Sequence, residues 1–313
     1  MSKYQAYPFL LRVSFFIAAI LSLVACTGKN AKESHSGREL PDRSGRTFVI
    51  NGPINRIVSA APSNTEIIVD LGLAGKLVAI DRYSADIKGL PAGLVTIDFS
   101  YPDAEAILAL KPDIIIANGH NPTVSGDDPF RLLKEMGIPV AYIPMSKSIN
   151  DICEDIAFVA DLLSVQKAGE ALISSMKTQI DELTQKTSQA KIKRSVYFEL
   201  SAAPEIFTFG KDSYINDMIT AIGGRNIFAD DNWIVTPSVE VIIERNPDVI
   251  LTSVDYLKDP IGEIKSRDGF DHINAVKNNR VFRIDANSIS RPSARILLAL
   301  NQMAHCVYPE LYE

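Results

Sequence analysis

An internal repeat links the two halves of this chain. The segment PDAEAILALKPDIII begins at Pro102, and the matching segment PSVEVIIERNPDVIL begins at Pro237. The offset is a constant 135 residues, which pairs Glu105 with Glu240. Each copy predicts a loop, a short helix, a Pro-Asp turn and a buried strand, because proline is favoured early in a helix and cannot continue one. The repeat therefore predicts two halves that share one fold.

Strand-like and helix-like apolar runs alternate on both sides of the repeat. Ser63 and Glu66 have the spacing of a capping box, which predicts a helix start after the first strand. The predicted strands are 56–60, 77–81, 114–117, 140–143, 195–200, 249–252 and 281–284. Alternation of this kind predicts an α/β fold with two similar lobes, each a parallel sheet flanked by helices.

Residues 149–190 contain no strand-like run and separate the two halves. Leu172, Met176, Ile180 and Leu183 fall on one helical stripe, with a possible break near Ser164. We expect one long bridging helix between the lobes. The cleft that two such lobes enclose is a usual place for a small ligand to bind.

The N-terminus has the pattern of a secretory signal. Two cations, Lys3 and Arg12, precede an uncharged run over 13–24, which is shorter than the roughly 20 residues that span a bilayer. Cys26 follows Leu-Val-Ala and resembles the cysteine of a bacterial lipobox, which implies a lipidated first residue of the mature chain. The alternatives are an ordinary signal peptide with an incidental cysteine, or an anchor that is never cut.

These patterns divide the chain into five predicted segments. They are a signal peptide over 1–25, a lipidated flexible tether over 26–47, an N-terminal lobe over 48–148, a helical connector over 149–190 and a C-terminal lobe over 191–313. We expect the body to lie on the periplasmic or extracellular face of the membrane, held there by lipidated Cys26.

The net charge and the cysteine content limit which kinds of partner and disulfide this chain can have. The formal net charge is −6, and removing two cations with residues 1–25 makes it about −8, which disfavours nucleic acid. Cys153 and Cys306 form no CxxC pattern. Two single buried thiols are the favoured interpretation, although the pair could form a disulfide in an oxidising compartment.

Three motifs, in order behind the lipobox, resemble a known family. RIVSAAPSNTE at 56–66, EAILALKPDIII at 105–116 and IGGRNIF at 222–228 are similar to segments of ABC-importer substrate-binding proteins for cobalamin, haem and iron–siderophores. The resemblance covers about residues 55–306. It implies a non-catalytic monomer without a cofactor of its own, which binds a metal chelate in the cleft and docks on an ABC permease. The family's permease-docking acids match Glu105 and Glu240.

The resemblance also indicates residues that would contact the chelate. Aromatic walls suit a large flat chelate, and an arginine suits its carboxylates or phosphate. His120 could ligate haem iron or be a solvated turn residue. The candidates are Tyr83, Phe99, Tyr101, Asn118, His120, Trp233 and Arg291. Cobalamin-binding members carry tryptophan where this chain has Phe99 and Asn118.

Other function classes remain as alternatives. A zinc- or manganese-ion-binding protein of an ABC importer would need several histidines, and the chain has four, with His35 in the predicted tether. An extracellular α/β enzyme is a further alternative, but no GxSxG elbow, P-loop or GxGxxG motif is present. A structural surface lipoprotein is the third.

Overall fold

The computed structural model describes residues 37–119 and 128–312. The predicted signal peptide, Cys26 and His120 lie outside the described residues. The chain from Arg38 onward forms one compact unit. Among the described helices, none is both long enough and apolar enough to cross a membrane.

The described ranges contain thirteen strands and eleven α-helices. The strands are β1 (Arg38–Pro41), β2 (Thr47–Ile50), β3 (Ile57–Ser59), β4 (Leu77–Asp81), β5 (Val95–Ile97), β6 (Ile114–Asn118), β7 (Val140–Ile143), β8 (Ser195–Glu199), β9 (Thr208–Phe209), β10 (Arg225–Asn226), β11 (Ile234–Val235), β12 (Val249–Thr252) and β13 (Val281–Arg283). The helices are α1 (Pro62–Asp70), α2 (Ala104–Ala109), α3 (Arg131–Glu135), α4 (Ile149–Leu162), α5 (Gln166–Thr187), α6 (Tyr214–Ala221), α7 (Val239–Arg245), α8 (Pro260–Ser266), α9 (Asn274–Lys277), α10 (Ala286–Ser290) and α11 (Ile296–Val307).

Two parallel sheets carry the two halves of the repeat. The N-terminal sheet has the order β5-β4-β3-β6-β7, and the C-terminal sheet has the order β10-β8-β12-β13. The repeat places β6 beside β3 in one sheet and β12 beside β8 in the other. The predicted α/β fold with two similar parallel sheets is therefore confirmed, and the order β4-β3-β6-β7 is matched by β10-β8-β12-β13.

The Pro-Asp turns act in the same way in both halves. The Asp113 carboxylate accepts hydrogen bonds from the backbone N–H groups of Asn55, at 2.7 Å, and Arg56, at 2.8 Å. The Asp248 carboxylate accepts from the backbone N–H of Ser195, at 2.9 Å, and from its Oγ, at 2.7 Å. Each aspartate thereby joins the start of a repeat strand to the start of the neighbouring strand.

Each sheet has one face in a shared core and the other in a core of its own. Side chains of successive strand residues point to opposite faces. Accordingly, Ile114 and Leu251 belong to one large core, which also includes residues of α4, α5, α6 and α11. Ile115 belongs to a separate core with α2 and α3, and Ile250 to another with α7 and α8. The two copies of the repeat helix thus pack in separate cores.

The bridging helix α5 has 22 residues and is about 33 Å long at 1.5 Å per residue. It packs against α4, α6 and α11. The predicted break lies at Ser164, which has φ +61° and follows Leu163, the C-cap of α4. At Gly169 the two helices approach so closely that a Cβ would lie 2.5 Å from the Ala160 Cβ, so glycine is required there. The long helix predicted between the lobes is therefore α5.

The polar segment before residue 48 is partly structured, contrary to the predicted tether over 26–47. Strand β1 pairs antiparallel with β2. The Asp42 carboxylate organises the turn between them by accepting from the backbone of Ser44 and Arg46, and also accepts from the Tyr142 backbone N–H. Arg43 forms an ion pair with Asp155 at 2.8 Å. Phe48 and Ile50 of β2 are buried in the large core and Leu40 of β1 packs against it, while the polar contacts of Asp42 and Arg43 hold the turn. The polar composition before residue 48 hid the strand that contains Leu40.

The predicted capping box is also wrong. Helix α1 begins at Pro62, its N-cap is Ala61, and no side chain caps it. Glu66 lies in the helix with 1% of its surface exposed. Its carboxylate contacts residues from the other end of the chain instead of the helix N-terminus.

Candidate functional site

A cleft of about 580 Å³ lies at the carboxyl ends of the strands of both sheets. This is the edge at which open α/β sheets usually bind ligands. The N-terminal side of its lining consists of Ala60, Ala61, Pro62, Ser63, Tyr83, Phe99, Asn118, Met145 and Ser146. The C-terminal side consists of Phe198, Leu200, Phe209, Tyr214, Ile215, Trp233, Ile234, Asn287, Ile289, Ser290, Arg291 and Pro292.

Five of the seven ligand-contacting residues expected from the sequence line this cleft. They are Tyr83, Phe99, Asn118, Trp233 and Arg291. Tyr101 is not among the described lining residues, because its side chain extends into solvent with 82% of its surface exposed. His120 lies outside the described residues. The strand ends thus bring together residues that are separated by more than 200 positions in the sequence.

An aromatic cluster forms the C-terminal wall of the cleft. The Phe209 and Trp233 rings meet edge to face with centroids 6.3 Å apart, and Phe198 lies 6.3 Å from Phe209. Edge-to-face rings are the favoured arrangement of such pairs. A ligand in the cleft would therefore meet a rigid wall of aromatic surface on this side.

The Trp233 backbone is held in an unusual conformation. Its φ is +50°, in the left-handed region that residues other than glycine seldom adopt. Two backbone hydrogen bonds fix it, one from Trp233 N–H to the Lys211 carbonyl at 2.9 Å and one from Gly210 N–H to the Trp233 carbonyl at 2.7 Å. A Cβ at Gly210 would lie 2.2 Å from the Asp231 carbonyl oxygen. Retained backbone strain is common at functional sites, and here it positions the only tryptophan of the sequence.

Tyr83 and Phe99 form the smaller aromatic pair on the N-terminal side, with centroids 6.0 Å apart. The Asp81 carboxylate accepts from the Tyr83 backbone N–H at 2.8 Å, which fixes the turn after β4. The Arg82 guanidinium lies 4.9 Å from the Tyr83 ring centre and is paired with Asp98 at 3.1 Å. Tyr83 is half exposed, so its ring stands at the rim of the cleft.

Arg291 is buried, and acceptors of the N-terminal half surround its guanidinium. Its Nη1 lies 3.2 Å from the Glu66 carboxylate, and its Nη2 lies 2.8 Å from the Asp86 carboxylate and 2.9 Å from the Tyr83 carbonyl oxygen. Burial acts to lower the pKa of Arg291, but the hydrogen bonds to Asp86 and Glu66 outweigh burial and raise it. The side chain therefore joins the two halves across the cleft.

Glu66 is the centre of this connection. Its carboxylate also accepts from Ser293 Oγ at 2.5 Å and lies 3.3 Å from an Arg295 guanidinium nitrogen. Burial raises the pKa of Glu66, and the contacts with Ser293, Arg295 and Arg291 oppose that rise. Two guanidinium groups and a hydroxyl thus offset part of the cost of burying this carboxylate. Asn287 adds a hydrogen bond to Asp86 at 2.8 Å. We refer to Glu66, Asp86, Asn287, Arg291, Ser293 and Arg295 as the inter-lobe cluster.

Several site residues were missed by reasoning from the sequence. Glu66 was assigned to a helix cap, although its position among the apolar residues Ile67 and Ile68 is a sign that the acid is buried and needs a partner. Ile234 was missed as well, yet it is the repeat equivalent of Phe99, and both line the cleft. Extending the repeat a few residues towards the N-terminus would have found it. No local pattern marks Phe198 or Phe209.

Glu105 and Glu240 occupy equivalent places in the two halves. Each is the second residue of its helix, and both are exposed. The N-caps of the two helices are also equivalent. The Asp103 carboxylate accepts a hydrogen bond from the Ala106 N–H at 3.0 Å, and the Ser238 hydroxyl accepts one from the Val241 N–H at 3.4 Å. A hydrogen bond with Ser238 lowers the pKa of Glu240. The two lobes thus each expose one carboxylate beside a cleft-lining loop.

Among the described residues, no group of three or more His, Cys, Asp or Glu side chains could hold a metal ion. Cys153 and Cys306 are free thiols. Burial raises the pKa of both, that of Cys306 to about 11, so neither is a reactive thiolate at neutral pH.

Comparison with known proteins gives one family match, which is to the family described as periplasmic binding protein, over residues 57–288. An uncharacterized ABC transporter substrate-binding lipoprotein of Bacillus subtilis is 29% identical over 96% of this chain and 99% of its own length. A vitamin B12-binding protein of Vibrio cholerae is 30% identical over 82% of this chain and 89% of its own length.

Two solved structures show how closely the fold is shared. A possible iron-binding periplasmic solute-binding protein from Staphylococcus epidermidis superposes with a TM-score of 0.75 and 31% identity, covering 82% of this chain and 100% of that one. The periplasmic heme-binding protein HutB of Vibrio cholerae superposes with a TM-score of 0.72 and 23% identity, covering 81% of this chain and 99% of that one. At that identity the second likeness concerns the fold alone.

Proposed function

Because the chain belongs to the periplasmic binding protein family, we propose that it is a lipid-anchored protein that captures a metal chelate and delivers it to an ABC permease. Members of this family are substrate-binding transport proteins rather than enzymes. The chelate class is an iron–siderophore, haem or cobalamin. Relatives named for vitamin B12 and a structural neighbour named as possibly iron-binding support this class.

The observation that carries the proposal is the aromatic, largely apolar cleft between the two halves. Tyr83 and Phe99 on one side and Phe209 and Trp233 on the other offer flat rings to a ligand. A bare zinc or manganese ion needs converging imidazole and carboxylate ligands instead. The lining described here therefore suits an organic ligand that already encloses its metal.

Delivery to the permease is assigned to Glu105 and Glu240. Both carboxylates are exposed, capped in the same way and separated by the repeat offset of 135 residues. Complementary charges across an interface set its register and raise its association rate. A first-turn glutamate also favours its own helix dipole, but that effect alone gives no reason for the equivalence of the two positions.

Anchoring is assigned to Cys26, which follows Leu-Val-Ala in the sequence. The Bacillus subtilis relative, which spans nearly the same length, is named a lipoprotein. Two acyl chains on one cysteine hold a protein far more firmly than one chain. The folded unit would then begin at Arg38, only a short distance after the lipid.

Tryptophan fluorescence tests the proposal directly, because Trp233 is the only tryptophan of the chain and lines the cleft. We expect saturable quenching of the full-length protein by at least one of cyanocobalamin, haemin and a set of ferric siderophores. The variant W233F should lose the signal while retaining calorimetric binding. Absence of binding to every chelate, or stoichiometric binding of zinc instead, would refute the chelate assignment.

A further inference from the structure

The cleft has an unusual charge balance for a site that binds metal chelates. Of the described residues that line it, Arg291 is the only one that carries a formal charge at neutral pH. The remaining lining is apolar, aromatic or neutral and polar. Residues 120–127, outside the described ranges, contain no lysine or arginine in the sequence. Charge–charge attraction between the described lining residues and an anionic ligand would therefore depend on the Arg291 guanidinium.

That guanidinium is already neutralised. It contacts the carboxylates of Glu66 and Asp86, and it donates to the Tyr83 carbonyl. Arg295 adds one positive charge to the same cluster by pairing with Glu66. Two arginines thus face the carboxylates of Glu66 and Asp86, and two further acids interact with the same cations, Asp81 with Arg291 and Asp70 with Arg295. Neither guanidinium therefore lacks a counter-charge.

An anionic ligand could form an ion pair with Arg291 only by displacing Glu66 or Asp86. Displacing Glu66, which has 1% of its surface exposed, would leave a buried carboxylate with fewer partners, which is unfavourable in free energy. Arg82, which lies next to the rim residue Tyr83, is likewise paired, with Asp98 at 3.1 Å. An anion entering the cleft would thus lose hydration without gaining a counter-charge.

We propose that the cleft selects metal chelates with no net negative charge and rejects polyanionic ones. The proposal rests on the proposed function, since it specifies which member of the chelate class is bound. The aromatic walls provide the attraction for such a ligand, and the neutralised cluster provides the discrimination. Arg291 acts as a positioning residue that holds the two halves together, rather than as an anion-binding residue.

Chelates that differ mainly in charge test this selection on the full-length protein. One pair is ferrichrome, a neutral ferric hydroxamate, and ferric enterobactin, a trianionic ferric catecholate. Another is haemin dimethyl ester and haemin with its two free propionates. Cyanocobalamin serves as a further neutral probe. Dissociation constants come from Trp233 quenching and from calorimetry at one fixed ionic strength.

We expect a neutral chelate to bind most tightly. Within whichever pair binds, the neutral member should have an affinity about 30-fold or more above that of its anionic counterpart. Equal affinities, or tighter binding of the anionic member, would overturn the charge selection while leaving the chelate function in place. Failure of every probe to bind would overturn the proposed function, and the charge selection with it.

A single substitution provides a second, independent test. The variant D86N removes one carboxylate from Arg291 and makes the cluster more positive by one charge. Asp86 is half exposed, so we expect the variant to fold, which circular dichroism will check. The affinity ratio of anionic to neutral chelate should rise by about 3- to 10-fold. D271N, an equal charge change at an exposed remote residue, is the matched control and should leave the ratio unchanged. An unchanged ratio in D86N would overturn the role assigned to the cluster.

Discussion

The two lobes share a scaffold but have different cleft surfaces. In both, the repeat supplies a capped helix with an exposed glutamate, a Pro-Asp turn and a central strand. The N-terminal lobe lines the cleft with the backbone turn at 60–63 and one aromatic pair at the rim. The C-terminal lobe presents a larger aromatic cluster and the buried Arg291. Features that would meet the permease thus occur in both lobes, whereas features that would meet the ligand differ.

Charge reversal at the shared feature should have the largest effect. The double variant E105K/E240K should reduce uptake of the bound chelate by about a hundredfold or more, because two attractive contacts become repulsive. Uptake of radiolabelled chelate is measured in cells that express the importer with this variant as the only binding protein. Ligand affinity should stay unchanged.

E170K/E244K is the matched control for that variant. Both residues are exposed glutamates on helices, and Glu244 lies on the same helix as Glu240. The control changes the net charge equally and should leave uptake near the wild-type rate. Normal uptake by E105K/E240K would remove the docking role from both positions.

Removal of cleft aromatics should reveal the difference between the lobes. W233A should weaken chelate binding by about 30-fold, because it removes the largest ring from the rigid C-terminal wall. F99A, on the smaller N-terminal pair, should cost about 5-fold. Isothermal calorimetry measures both.

The variant Y101A tests whether Tyr101 contacts the ligand, as the sequence predicted, or lies outside the cleft, as in the structure. Tyr101 was predicted to contact the ligand, but its side chain points into solvent and does not line the described cleft. Its removal should change affinity less than 2-fold. A loss as large as that of W233A would show that the cleft extends to this loop.

The shared Pro-Asp turns should contribute to stability to a similar extent in the two lobes. D113N and D248N each remove a carboxylate that accepts two hydrogen bonds from the start of the neighbouring strand. We expect each to lower the free energy of unfolding by about 1–2 kcal/mol, measured in urea. A loss at only one position would show that the turns are equivalent in sequence but not in energy.

The smallest expected effect is the pH dependence of the stabilisation that Asp248 provides. Burial acts to raise the pKa of this carboxyl, but hydrogen bonds from Ser195 outweigh burial and lower it. A lowered pKa in the folded state means that the ionised carboxylate stabilises the protein above the ordinary aspartate pKa of about 4 and loses this effect as pH falls further. The difference in unfolding free energy between wild type and D248N should therefore shrink below about pH 4. A difference that grows on acidification would contradict this sign.

Local patterns in the sequence were sufficient for most of the fold. The predicted strands 77–81, 140–143 and 249–252 agree with β4, β7 and β12 to the residue, because apolar runs bounded by turn residues mark buried parallel strands. The repeat was sufficient to pair Glu105 with Glu240. The hairpin of β1 and β2 was missed, since β1 has a single core-packing apolar residue, Leu40, and polar contacts at Asp42 and Arg43 hold its turn.

The site was less accessible to such reasoning. The family resemblance, together with loop positions after a strand or before a repeat helix, led to the expectation that Tyr83, Phe99 and Trp233 lie near the ligand. The partners of Arg291 could not be found, because Glu66 lies 225 positions away and neither residue carries a local sign of the other. Phe198 and Phe209 depend on which face of a strand meets the cleft, which only the packing decides.

The inter-lobe cluster also has a consequence for biosynthesis. The acid of the first lobe, Glu66, finds its cations and hydroxyl only at positions 291, 293 and 295, near the end of the chain. During synthesis from the N-terminus onward, the earlier half is made with this carboxylate unpaired and with its α11-binding helical face uncovered. Although the halves are duplicates, a fragment that stops before Arg291 would lack the partners of Glu66. Folding of the N-terminal lobe is therefore completed only once the last segment of the chain is present.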